Sequence, residues 1–145
     1  DPEYWRARLA AFSNGTATLT SLSVDPDGAV NVLVTISLLG DRLPKLITQL
    51  HRGDLQMVRN ELWSPIDRGQ VHGDINVTFS GAPLSAAGIA LMAPAPHGCR
   101  LKYTTTVTAK VPLVGGRIES YIGSRTGEEI AAIQRFTNEW IAENS

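Results

Sequence analysis

Apolar and polar residues alternate without a break from Cys99 to Val111. Cys99, Leu101, Tyr103, Thr105, Val107, Ala109 and Val111 fall on one face. Arg100, Lys102, Thr104, Thr106, Thr108 and Lys110 fall on the other. A repeat of two gives one dry and one wet face, which fits an antiparallel sheet covered on one side. The strand then runs through Pro112-Leu113-Val114-Gly115-Gly116 straight into a helical pattern from about Arg117 to Glu143. There Ile118, Ile122, Thr126, Ile130, Ile133, Thr137 and Trp140 share a stripe, flanked by Phe136 and Ile141. Such a helix is roughly 40 Å long. With almost no loop before it, it can bury its stripe by folding back over the dry face of the sheet. Gly115 and Gly116 are the expected point of reversal.

The rest of the chain supplies the sheet. Asp1-Pro2-Glu3 reads as a helix start, with Tyr4, Trp5, Leu9 and Phe12 at helical spacing and Asn14-Gly15 as the stop. Thr16 to Val24, the turn Asp25-Pro26-Asp27-Gly28, and the alternating Val30, Val32, Val34 and Ile36 predict a hairpin. Gly40 to Gly53 interrupts the strands, and Leu43, Leu46, Ile47 and Leu50 fit a short helix. Strands are predicted again over Asp54–Ile66, Val71–Phe79 and Leu84–Ala93, separated by turns at Asp67–Gln70 and Pro94–Gly98. Six antiparallel strands twist and curl. A single helix across the concave side then encloses a cavity. Ser120, Gly123, Gly127 and Ala131 form a small-residue stripe on that helix. Each mid-helix glycine costs about 1 kcal/mol against alanine. Two explanations stay open: a close backbone neighbour, or room for a guest.

The totals narrow the function. A chain of 145 residues is read as one domain, 1–145. Thirteen basic and 14 acidic residues give a net charge of −1, with no footprint for nucleic acid. No apolar run approaches the roughly 20 residues that span a bilayer. The single cysteine, Cys99, excludes an internal disulfide and points to a reducing cytoplasm. His51, His72 and His97 have no zinc-site spacing, so neither metal nor cofactor is expected. His72 should point outward.

The segments "YWRARLA", "TATLTSLSV", "WSPID", "GAPLSAAG", "LKYTTTV", "VPLVGGRIES" and "AAIQRFTNEWIAE" carry a resemblance over nearly the whole chain. The order of elements resembles the helix-grip proteins: START lipid-transfer domains, birch-pollen-allergen-like proteins and polyketide cyclases (the SRPBCC superfamily). More narrowly, the segments look like an actinobacterial family known only as a domain of unknown function. The resemblance implies an α+β helix-grip fold, a curved antiparallel sheet wrapped around a long C-terminal helix. It also implies a seventh strand ahead of the first helix. Since the chain opens on Asp1, a longer natural protein is expected.

The leading functional expectation is a cavity for a hydrophobic small molecule, lipid- or polyketide-like. Its expected lining is Val32, Val34, Ile75, Val77, Met92, Tyr103, Thr105, Val107, Ile122, Thr126 and Ile130. An alternative is a cyclase or dehydratase using Tyr103 with Arg59 or Glu61 as acid–base groups. No catalytic residue is assigned, and binding is favoured over catalysis. Alternation does not decide where Arg59 and Glu61 point, and the solvent-facing arrangement is the expectation. A third reading is an interaction module with a vestigial cavity. A monomer or weak homodimer is expected, without nucleic acid or integral membrane association.

Overall fold

A computed structural model of the chain describes residues 1–12, 16–38, 45–48 and 53–145. Helix α1 (Pro2–Phe12) leads into strands β1 (Ala17–Val24) and β2 (Val30–Leu38), and a short α2 (Lys45–Thr48) follows. Strands β3 (Leu55–Ile66), β4 (Gln70–Ser80), β5 (Leu84–Ala95) and β6 (Gly98–Ala109) complete the sheet, with a 3-10 turn at Asp67–Gly69. Helix α3 (Gly115–Asn144) closes the chain. The six strands pair in sequence order, every neighbour antiparallel. The curved sheet and its long terminal helix make this an α+β helix-grip fold. The short helix expected within residues 40–53 is seen only as α2, since Leu43 and Leu50 lie outside the described residues.

Two separate apolar clusters hold the layers together. In the first, Trp5 and Leu9 of α1 pack on Val32, Val34 and Ile36 of β2. In the second, Ile118 at the start of α3 packs on Leu55, Leu84, Ala109 and Ile47. Val32, Val34, Leu55 and Ile118 are completely enclosed, worth about 1.5–3 kcal/mol each. The clusters leave the middle of α3 unsupported. Only Gly115 and Ile118 of its 30 residues are buried. Its far end is held by α1 instead. The Tyr4 hydroxyl lies 2.8 Å from Thr137 Oγ1, and Tyr4 meets Trp140 edge-on at 5.4 Å between ring centroids. Phe12 meets Phe136 edge-on at 5.6 Å.

Two expectations about glycines are corrected. The reversal before α3 is made at Leu113, which has a φ of 69° and is fully exposed, while neither Gly115 nor Gly116 has a positive φ. Gly115 is needed for proximity: a Cβ there would sit 2.6 Å from the Ala109 carbonyl oxygen. Glu119 then reaches back, and its Oε1 accepts the Ala109 N–H at 3.0 Å, tying the helix to the end of β6. The small-residue stripe also differs from expectation. Ser120, Gly123, Gly127 and Ala131 are exposed, and added methyl groups at Gly123 and Gly127 would meet open space. The stripe makes neither a close backbone contact nor room for a guest.

Candidate functional site

The pairing of β2 with β3 decides which face carries Arg59 and Glu61. Val34 lies opposite Arg59 and Val32 opposite Glu61. On the other side of β3, Val77 opposes Arg59 and Ile75 opposes Glu61. Directly opposed residues in an antiparallel pair point to the same face. Both charged side chains therefore share the concave face with the apolar core, and the expected solvent-facing arrangement is overturned.

Glu61 is only 2% exposed, and each carboxylate oxygen is engaged. Oε1 accepts a hydrogen bond from Arg8 Nη2 at 3.2 Å, and Oε2 accepts one from Trp63 Nε1 at 2.9 Å. Arg59 Nε lies 3.0 Å from the same Oε1, but without hydrogen-bond alignment, so it contributes an ionic contact alone. Arg8 arrives from α1 with its guanidinium stacked 4.8 Å from the Trp5 ring centroid. A buried carboxylate thus stands between two buried guanidiniums. Burial lowers the affinity of Arg59 for its proton, against the opposing pull of Glu61 and with a smaller push from Arg8.

Two rings complete the polar wall. Trp63 lies across Gly73, where a Cβ would come within 2.6 Å of the indole. Tyr103 places its hydroxyl over Gly88, again 2.6 Å from where a Cβ would be. Burial, and secondarily the negative charge of Glu61, push the Tyr103 phenol above its ordinary pKa. It is therefore a protonated hydrogen-bond donor at neutral pH. The Nε of Arg8 and the Nε of Arg59 are buried without a hydrogen-bond partner.

Between this wall and α3 lies a cavity of about 1270 Å³. Nine of the expected lining residues border it: Ile75, Val77, Met92, Tyr103, Thr105, Val107, Ile122, Thr126 and Ile130. Val32 and Val34 do not, because Trp5 and Leu9 seal them under α1. Thr126 offers no spare donor, since its hydroxyl bonds to the Ile122 carbonyl of its own helix at 2.8 Å. Sequence reasoning missed Arg8, Trp63, Met57 and Ile133, all of which border the cavity. For Arg8 a signal existed: it follows Trp5 by three residues and precedes Leu9, so it shares their helical face.

The remaining candidates lie elsewhere. His72 and Asp74 oppose Ser64 and Leu62, on the convex face, with Nε2 3.3 Å from Oδ1. Cys99 is exposed at the cavity rim. Among the described residues no three His, Cys, Asp or Glu side chains cluster as metal ligands. Among them, too, no helix is long and apolar enough to cross a membrane.

Comparison with known proteins gives a concordant family. Residues 1–141 match the profile of a family described as a protein of unknown function, DUF2505. An uncharacterized protein of Mycobacterium bovis is 35% identical over 150 residues, covering 99% of this chain and 86% of that protein. Uncharacterized proteins from two strains of Mycobacterium tuberculosis match with the same identity and coverage.

Proposed function

The chain belongs to the DUF2505 family, and we propose that it binds or carries a hydrophobic small molecule between its sheet and α3. One observation carries this reading: α3 is fastened at both ends and spans a hollow of about 1270 Å³. That volume is somewhat above the roughly 300–1,000 Å³ of ordinary ligand pockets. The face that α3 presents to it is apolar at Ile122, Ile130 and Ile133, and the opposing wall is apolar at Met57, Ile75, Val77 and Val107. A close-packed domain would fill such a space with side chains. The likeness to START and polyketide-cyclase proteins supports a lipid- or polyketide-like guest. Cytoplasmic action fits the single cysteine.

The test is direct. Protein purified without detergent is extracted with organic solvent, and the extract is analysed by mass spectrometry. In parallel, the stripped protein is titrated with N-phenyl-1-naphthylamine, a neutral apolar dye. A stoichiometric extracted compound or saturable dye fluorescence is the expected result. An empty extract together with no saturable dye binding removes the proposal.

A cyclase- or dehydratase-type reading draws on the convergence of Arg59, Glu61 and Tyr103 at one cavity. It needs a free acid–base pair. Glu61 already serves Arg8, Arg59 and Trp63, which leaves Tyr103 as a lone donor and favours binding.

A further inference from the structure

The charges beside the cavity do not balance. Arg8 and Arg59 supply two positive charges, Glu61 supplies one negative charge, and all three are withdrawn from water. Arg8 is 9% exposed and Glu61 2% exposed. A buried charge without a partner is costly, and proteins pair such groups or bring in a counter-ion. Glu61 accepts hydrogen bonds from Arg8 and Trp63, whereas its contact with Arg59 is ionic alone. Arg59 is therefore the surplus cation. Among the described residues its guanidinium makes no hydrogen bond, and it borders the cavity.

The other charged groups bordering the cavity are exposed at its rim, where water screens them from the buried cluster. Glu129 of α3 faces the Arg59 side and attracts it electrostatically, yet it is exposed and makes no ion pair with it. Asp1, Arg125 and Glu128 border the rim and are exposed. Two hydroxyls stand on the neighbouring wall, those of Tyr103 and Thr105.

Resting on the binding reading above, we propose that the guest is a monoanionic amphiphile whose carboxylate-type head seats against Arg59, with the Tyr103 hydroxyl as a second donor. Its apolar body lies along Ile75, Val77, Val107 and Ile130. One negative charge neutralises the buried cluster. A phosphate monoester dianion would overshoot it, and a neutral or cationic head would leave the extra positive charge uncompensated. Charge-assisted hydrogen bonds to a carboxylate are the short, strong kind, and a guanidinium presents them in a matching fork.

The experiment displaces N-phenyl-1-naphthylamine with three probes of equal chain length: hexadecanoate, hexadecan-1-ol and protonated hexadecylamine, all below their aggregation concentrations. Hexadecanoate is expected to displace the dye roughly 10- to 100-fold more tightly than the alcohol, with the amine weakest. In Arg59→Met the preference for acid over alcohol should vanish, and in Arg59→Lys it should persist. Thermal melting of each variant reports whether it is folded, and the wild-type comparison stands without them. Equal displacement by acid and alcohol, or preference for the amine, overturns this inference while leaving the cavity reading intact. An acid preference that survives in folded Arg59→Met overturns the assignment to Arg59. Absence of saturable dye binding defeats the binding reading itself, and this inference with it.

Discussion

Glu61→Gln tests the buried cluster most sharply. The substitution keeps the shape of the side chain and removes its charge. Arg8 and Arg59 then remain enclosed, with no carboxylate in ion-pair contact with either among the described residues and only the exposed Glu129 nearby. Removing one partner of a buried ion pair costs about 3–5 kcal/mol, chiefly because the other charge is stranded. For a chain of this size each kcal/mol lowers the melting temperature by about 2–4 °C, so Glu61→Gln should melt about 6–20 °C below wild type. Circular dichroism melts, supported by urea midpoints, give the comparison. Glu3→Gln is the matched control. Its ion pair with Arg6 is shorter, at 2.6 Å, but more than half exposed on both sides. Solvent screening reduces such a pair to little net stability, so its melt should overlay wild type. The triple variant Arg8→Met/Arg59→Met/Glu61→Leu should lose less than Glu61→Gln alone, because it strands no charge. If Glu61→Gln melts like Glu3→Gln, the cluster is hydrated and the reasoning fails.

Three further outcomes follow from described geometry. Gly123→Ala/Gly127→Ala should raise stability by about 1–2 kcal/mol, since both glycines sit in a helix interior beside open space; an unchanged or lower urea midpoint would contradict that placement. Gly115→Ala should cost about 1–3 kcal/mol, because the new methyl group meets a backbone oxygen rather than a mobile side chain. Gly116→Ala, with open space around it, is the control. Of the three tyrosines, Tyr103 should be slow to ionise in an alkaline absorbance titration, and Tyr103→Phe should abolish that late component. The sign follows from proton linkage. The folded protein holds the phenolic proton above the unfolded pKa of about 10, so the contribution of Tyr103 to stability falls as pH rises from there through the folded value.

The strands and the terminal helix were legible because their periodicities are local. Strand β6 alternates cleanly, and the α3 stripe repeats over the full length of the helix. The face of β3 was not legible, because both its faces carry apolar residues: Leu55, Met57 and Trp63 on one, Val58 and Leu62 on the other. What settles it is the register with β2, a relation between segments. Val32 and Val34 show the same limit. Their pattern matches that of Ile36, which borders the cavity, but Trp5 and Leu9 arrive from outside the hairpin to cover them. For Gly127 of the small-residue stripe the information was present. At roughly 100° per residue, Gly127 falls well away from the face shared by Ile122, Thr126 and Ile130.

The two fastenings of α3 differ in kind. At one end it is the polypeptide itself, a short connection held by the Ala109–Glu119 bond. At the other, the grip is a set of aromatic edges and one hydroxyl contact with α1, which can release without breaking the main chain. That grip joins α3 to α1, two elements separated in sequence by the whole sheet. The same α1 that carries Tyr4 also carries Arg8, so one helix both holds the far end of α3 and supplies a cation to the buried charged wall.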